Sequence, residues 1–579
     1  MKKYIILLIT AFAFIFTSCN DQLDTVNLYQ KDLDSFYSTP EEVDEAISGI
    51  YNAIYMTDSG SETQIFLNLL SDCMLGGGGT DDEGAKWVDS FQDPEEDTYE
   101  DLWTTTYNGI YRANAVIEAL QTKDYSDYFI SSEDAEAFKS KSLGEAYFMR
   151  GWFFFRAAQV FGGLPLIITT DTDRSLPRAS IDDTYAQVFS DFLLALNDFP
   201  DTKASEFTTA EYGHANKWVT EAYIARAYLY YTGYKTNILK ETTTDVTISD
   251  TETLTKDDVI SYLQDCIDNS SYALISDFRN LWPYSYVNTA SKEANGDNVD
   301  ILPWAADNNL AWAGQDGFHP SIGTGNTEVM FAKRYAFGNW SWSNPQGKTN
   351  RYSLFFGIRD NSLIPFGQGW GWGPVNTYFY NQWDDNDLRK EASVLELKDD
   401  ASNGLSGIAL YKGTQYTGLV NKKYTNLQIN GENGVKGMFC YLYGLTYPDM
   451  QLWHAQDQIE MRFADVLLMQ SELTEDPQYM NKVRERVGLE DIEYSLENLK
   501  EERAHELAFE SLRWYDLIRW GDVETSNNYW SQPLDITNNG VDASYSVSYR
   551  TETKGLLSIP ETEIRLSNGV YEQNPGWSE

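Results

Sequence analysis

The chain predicts an all-α fold, a scaffold of helical hairpins interrupted by one long loop-rich excursion. Three observations carry that prediction. Apolar residues recur at helical spacing through most of residues 41–268 and again through 457–520. From about 280 to 450 the composition shifts to Gly, Asn, Trp and Tyr, and the helical period disappears. The 579 residues are 42% hydrophobic, enough to bury a large core, and the 23% charged content argues against wholesale disorder.

The chain opens with Lys2 and Lys3, a nearly unbroken apolar run over 4–16, and Thr17-Ser18-Cys19. The run is short of the about 20 residues that a spanning helix needs. It reads as a secretory signal, residues 1–18, cut before a lipidated Cys19. Phe16 stands where such signals usually carry Leu. Acyl chains on Cys19 anchor firmly, at about 0.8 kcal/mol per buried methylene. The mature chain is then tethered to a membrane through its lipid alone, with the acidic leader NDQLD (20–24) beside the anchor.

Helices follow in order. Residues 41–55 place Val43, Ile47, Ile50 and Ile54 on one face, with Pro40 as a first-turn proline. Residues 103–120 form a second helix. Residues 134–161 form a third, apolar on most faces and therefore buried between neighbours; Gly162-Gly163-Leu164-Pro165 ends it. Ser180 opens a helix to Leu196, residues 215–231 give another closed by Gly233, and 256–268 a shorter one. Helix pairs of this length resemble tetratricopeptide hairpins, without a strict 34-residue period. Helices resume at 457–473, 477–487 and 496–520. In the last, Glu510 with Arg513 and Asp516 with Arg519 are spaced to pair. Residues 556–566 read as extended, with a turn at 573–577.

Bulk chemistry narrows the function. With 43 basic and 88 acidic residues the net charge is −45, and −47 without Lys2 and Lys3. Nucleic acid is excluded, because a phosphate backbone needs a basic footprint. Neutral ligands suit such a surface. The four histidines are isolated and form no zinc pattern. Cys73, Cys266 and Cys440 show no CxxC spacing and read as free buried thiols. No cofactor is implied. DDNDLRKE (384–391) and NGDNVD (295–300) have a composition that leaves room for a structural calcium, but neither has EF-hand spacing, and solvated loop acids explain both.

Several blocks together resemble the SusD/RagB family of outer-membrane glycan-binding lipoproteins. They are GEAYFMRGWFFFRAAQVFGGLPLI (144–167), LPRASIDDTYAQVFSDF (176–192), HANKWVTEAYIARAYLYYTG (214–233), MRFADVLLMQSEL (461–473), NKVRERVGL (481–489), ERAHELAFESLRWYDLIRWGD (502–522) and LLSIPETEIRLSNGVYEQNPGW (556–577). The resemblance implies one SusD-like domain over 19–579. Residues 19–279 and 451–579 would be a tetratricopeptide-like scaffold, and 280–450 the ligand-binding excursion. It also implies location at the outer membrane facing the cell exterior. The implied partners are an oligosaccharide or polysaccharide and a SusC-like TonB-dependent barrel transporter, on which the lipoprotein sits as a lid.

Carbohydrate recognition needs apolar ring faces for C–H surfaces and directional polar groups for hydroxyls. The segment 70–91, with four glycines at 76–79, supplies Asp72 and Trp87, and the resemblance places this segment on the ligand face. In the excursion the candidates are Trp282, Trp304, Trp312, Trp340 and Trp342; the alternation of the last two would point both to one side of an extended segment. Trp370 and Trp372, set among glycines, read as structural, Trp152, Trp218, Trp514 and Trp520 as core, and Arg389 as a partner for the neighbouring acids. No nucleophile elbow, P-loop or dinucleotide fingerprint occurs, and acidic pairs in a chain this acidic carry no glycosidase signal. The reading is a binding protein and not an enzyme. Capture of peptides or glycopeptides in the same lid role is the alternative, and a surface glycosidase a distant one.

Overall fold

Helix caps and apolar faces written locally in the sequence build the scaffold. The computed structural model describes residues 36–55, 62–92, 97–172, 176–208, 211–282, 326–335, 350–359, 368–397, 413–431, 434–437, 454, 456–525, 528–530 and 532–577. The helices before residue 280 are α1 Pro40–Ala53, α2 Glu62–Leu69, α3 Glu83–Asp89, α4 Glu100–Thr122, α5 Ser132–Phe161, α6 Ile181–Asp198, α7 Lys217–Asn237 and α8 Lys256–Asn269. Short helices α9 Tyr352–Phe356, α10 Thr377–Gln382 and α11 Leu388–Ser393 belong to the excursion, and α12 Phe463–Thr474, α13 Pro477–Arg486, α14 Leu496–Glu506, α15 Arg513–Trp520 and α16 Glu561–Leu566 follow it. The fold is all-α, and among the described residues the strands form only short two-stranded ladders.

Starts and stops have local causes. Thr39 and Thr255 form capping boxes with Glu42 and Asp258, and Ser131, Ser180 and Asn216 each accept from a backbone N–H three residues on. Gly162, at φ 75°, ends α5. Helix α5 is buried on all sides over its second half, as its composition predicts, and packs between α4 and α6. A Cβ at Gly109 of α4 would lie 2.2 Å from the Phe153 ring of α5, so the close crossing depends on that glycine. Later helices close back on earlier ones, α12 on α8 and α15 on α7.

Three helix expectations are corrected. Helix α7 does not stop at Gly233 but runs to Asn237. That glycine admits the backbone of α15, whose Arg519 carbonyl oxygen would lie 2.5 Å from a Cβ there. Residues 458–462 form a strand before α12, paired antiparallel with Val329–Lys333; this ladder bridges the two ends of the excursion. The expected helix 496–520 breaks at 507–512, where Phe509 and Ser511 have φ of 65° and 64°. Tertiary partners take its backbone groups: the Tyr352 hydroxyl donates to the Phe509 carbonyl (3.0 Å), and the Ser511 N–H donates to Asn68 (3.2 Å). The expected pair of Glu510 with Arg513 is therefore absent. Glu510 binds Lys423 and Arg462 (both 2.8 Å), and Arg513 binds Asp72 (2.8 Å). Asp516 does pair with Arg519 (2.8 Å).

Buried charges join the excursion to the scaffold. Arg462 reaches Glu328 (2.8 Å), Glu506 (2.5 Å) and Glu510, and Arg389 binds Asp387 (2.8 Å), Glu506 (3.0 Å) and Glu502. His505 stacks on Trp383 with centroids 4.5 Å apart. Burial, reinforced by nearby Arg389, pushes its pKa down to about 3 and keeps it neutral. Trp152, Trp218 and Trp514 are core residues, and Trp520 is half-buried with its N–H on Glu472 (3.0 Å). Cys73 and Cys266 are buried free thiols; Cys19 and Cys440 lie outside the described residues. Residues 556–560 are extended, but 561–566 form α16.

Candidate functional site

The four-glycine run is a structural crossroads. Residues 74–79 lie antiparallel to 371–375, through bridges Met74–Val375 and Gly77–Trp372. Gly77 and Gly78 have φ of 73° and 77°, the left-handed region where a Cβ is strained, and a Cβ on Gly77 would lie 2.3 Å from Pro374 Cδ. A third segment flanks the turn: the Thr414 N–H donates to the Gly78 carbonyl (2.8 Å), and Gln415 Oε1 accepts from the Gly77 N–H (2.8 Å). Residues 415–416 in turn pair with the C-terminal hairpin 534–545, through Tyr416 to Thr537 and Gln415 to Asn538.

Indoles rise from this platform. Trp370 and Trp372 each set a ring edge-on to Phe355, with centroids 4.6 and 4.7 Å away, and both stay half-buried. The Trp372 ring reaches over Gly78. Trp87 is half-buried on α3, the helix that begins just after the turn. Asp82 accepts from the Gly79 N–H (2.7 Å) and from Arg359 (3.0 Å), and Arg359 also donates to the Trp370 carbonyl (3.0 Å). The Arg359 and Asp82 side chains are 31% and 28% exposed, so polar groups stand partly open beside the rings. Flat apolar faces next to a charged donor–acceptor pair match the demands of a polyhydroxylated ligand.

Beneath the turn lies one buried acid. Asp89, at the end of α3, accepts from the Tyr545 hydroxyl (2.5 Å) and from Gln415 Nε2 (3.1 Å). Burial pushes its carboxyl up to about 7 despite these bonds. Its Oδ1 has no hydrogen-bond partner.

Two expected ligand residues are core residues. Asp72 is fully buried; its oxygens accept two bonds from Arg513 (2.8 and 2.9 Å) and one from the Tyr529 N–H (2.9 Å). It offers no free oxygen surface to a ligand, because an interior guanidinium required a carboxylate. Trp282 is also fully buried, between Phe278 and Tyr424 with the Lys423 ammonium 4.5 Å from its ring centroid. Trp304, Trp312, Trp340 and Trp342 lie outside the described residues. Trp87 alone among the described candidates keeps an accessible ring. Nothing in the sequence singles out Arg359, and there Trp370 and Trp372 read as structural. Their packing on Phe355 fits that reading, while their half-exposure adds a surface; the alternation of Trp and Gly in 369–373 was the available signal.

The aspartates at 384–387 are engaged: Asp384 holds Asn386, Asp385 pairs with Lys390 (2.6 Å) and Asp387 with Arg389. Among the described residues no group of three or more His, Cys, Asp or Glu is arranged to hold a metal. Residues 295–300 lie outside the description. No helix among the described residues is long and apolar enough to cross a membrane.

Comparison with known proteins accounts for both ends of the chain. Residues 23–229 match a SusD-like family described as starch-binding and associating with the outer membrane, and residues 373–577 match the SusD family. The chain belongs to the SusD/RagB family. It is similar to SusD-like protein P2 of Formosa agariphila, at 24% identity over 100% of both chains. A SusD-like protein of Bacteroides ovatus is 22% identical, over 90% of this chain and 83% of its own. Among solved structures, surface glycan-binding protein A from Bacteroides thetaiotaomicron in complex with laminarihexaose superposes with a TM-score of 0.65 at 21% identity, covering 93% of this chain and 99% of that one. The likeness to that structure establishes a shared SusD fold.

Proposed function

We propose that this SusD-family chain is a cell-surface glycan-binding lipoprotein. Cys19 anchors it in the outer membrane, an indole ledge captures neutral oligosaccharides, and the captured chain passes to a SusC-like TonB-dependent barrel transporter. One observation carries the reading: Trp87, Trp370 and Trp372 stand half-exposed around a glycine turn, with the Arg359–Asp82 pair partly open beside them. The rings would stack on the C–H faces of sugar residues, and the pair would meet hydroxyls. The turn is held by residues 371–375 and 414–415, the latter braced in turn by the hairpin 534–545, so the ledge is set before ligand arrives and little ordering cost falls on binding. No bond is made or broken; the site binds and releases. The laminarihexaose complex of the Bacteroides thetaiotaomicron protein supports a carbohydrate ligand and makes a β-glucan a rational first probe.

The test is affinity electrophoresis of the mature chain through gels containing laminarin, starch, xyloglucan or galactomannan. Trp87→Ala should weaken retention by the bound polysaccharide about tenfold or more, as for a central aromatic contact, with unchanged helicity. Unaltered retention would remove Trp87 from the site. Retention by none of the polysaccharides, together with binding to peptides, would replace the glycan reading with peptide capture. Cys19→Ser should release the protein from the membrane fraction; persistence there would refute the lipid anchor.

A further inference from the structure

A second opening lies away from the indole ledge. A groove of about 750 Å³ runs between α4, the loop after α5 and the C-terminal α16. That volume falls within the about 300–1,000 Å³ of small-ligand sites. Helix α4 carries Trp103, Tyr107 and Tyr111 along it. Spacing of four residues puts the three on one face, and the stripe extends about 12 Å at about 1.5 Å per residue. Trp103 is 3% exposed and forms the floor, its ring centroid 5.2 Å from that of Tyr107 and 5.8 Å from that of Tyr571. Tyr111 is 37% exposed. Beside the stripe, Thr104 and Asn108 also line the groove. The side chains of Thr104, Asn108 and Tyr111 make no hydrogen bond among the described residues, and are thus free to bind a ligand.

The walls are tied in place. The Tyr107 hydroxyl donates to the Pro165 carbonyl (3.1 Å), and the Asn114 amide to the Ile167 carbonyl (2.9 Å). Asp97 accepts from the Thr562 N–H and hydroxyl (2.9 and 2.7 Å), which fixes α16 against the start of α4. Among the described residues no lysine or arginine lines the groove, and Glu563 is the one carboxylate that does. An anionic ligand would meet that carboxylate and no cation among the described lining residues. Tyrosine rings over a tryptophan floor, free amide and hydroxyl groups, and no lysine or arginine among the described lining residues describe the complement of a neutral polyol chain.

We propose that this groove is a second binding site for a neutral oligosaccharide, separate from the indole ledge. The proposal rests on the reading of the chain as a glycan binder. A second site on the same chain would raise retention of a polymer through effective concentration, since a long glycan can engage both at once.

Affinity electrophoresis through the same four polysaccharides distinguishes the two sites. The mature wild-type chain is run beside Trp87→Ala, the double variant Tyr111→Ala with Asn108→Ala, and all three changes combined. Circular dichroism checks the fold of each. Expected is a loss of retention of several-fold in the groove double variant, residual retention in Trp87→Ala, and a further loss in the combined variant. Tyr111→Phe, which keeps the ring, should retain most of the wild-type binding. Wild-type retention in the groove double variant, with loss confined to Trp87→Ala, overturns the groove and leaves the ledge standing. The opposite pattern sinks the ledge and leaves the groove. No retention of the wild type by any of the four overturns both.

Discussion

Replacing Asp89 by asparagine probes the electrostatics under the glycine turn. The Asp89 carboxyl is fully enclosed, and burial raises its pKa from the ordinary 3.8 to about 7. An acid whose folded pKa lies above its unfolded value stabilises the fold fully below the unfolded pKa, and that contribution is lost as pH rises through the folded pKa. The window is thus pH 4 to 7: the folded chain keeps a proton there that the unfolded chain has released. At about 1.36 kcal/mol per pH unit, the whole window is worth on the order of 4 kcal/mol. Asparagine has nearly the same shape, and its carbonyl oxygen can accept from Tyr545 and Gln415 as Asp89 does. Its amide would take the place of the Oδ1 that has no partner, and this costs part of the gain. Chemical denaturation of wild type and Asp89→Asn at pH 5, 6, 7 and 8 is the assay. The variant should gain on the wild type as pH rises to about 7, with no further change at pH 8. Groups such as Asp457, also raised to about 7 by burial, cancel in the difference. A difference between the two proteins that is flat from pH 5 to 8 would refute the reasoning.

Arg462→Ala takes one buried cation from Glu328, Glu506 and Glu510, which keep only Arg486, Arg389 and Lys423 between them; it should cost about 3 kcal/mol by denaturation at pH 7, and a loss below about 1 kcal/mol would show that the remaining cations suffice. Gly77→Ala adds a Cβ 2.3 Å from Pro374 at φ 73°; strain of about 1–3 kcal/mol should appear as faster amide exchange in 74–79 and 371–375, with scaffold helices α4–α7 unaffected. Exchange unchanged in those two segments would mean that the turn does not depend on its glycine.

Local rules made the scaffold legible. Thr39, Ser131, Ser180 and Thr255 cap the helices they precede, and the apolar second half of α5 announces a helix buried among others. These signals lie within a few residues of one another, so one chain read in order contains them. Failures arose where a distant group overrode a local preference. Gly233 reads as a stop but is a contact for the backbone at Arg519. Residues 507–512 carry a helical face, yet Asn68 and Tyr352 take their backbone groups.

The candidate site divides along the same line. Trp87 and the glycines at 76–79 were visible as an aromatic beside a flexible turn. That Trp370, Trp372, Arg359 and Thr414 share the platform depended on pairings between residues more than 270 positions apart in sequence, between 74–82 and 359–414. Asp72 and Trp282 had the residue types of a ligand face, but side-chain type is blind to burial; Arg513 and Lys423 drew them inside. Local periodicity and capping determined the helices, and the family blocks the class of protein, because those are properties of neighbouring residues. Which rings face solvent was decided by packing alone, because exposure is a property of what the rest of the chain leaves uncovered.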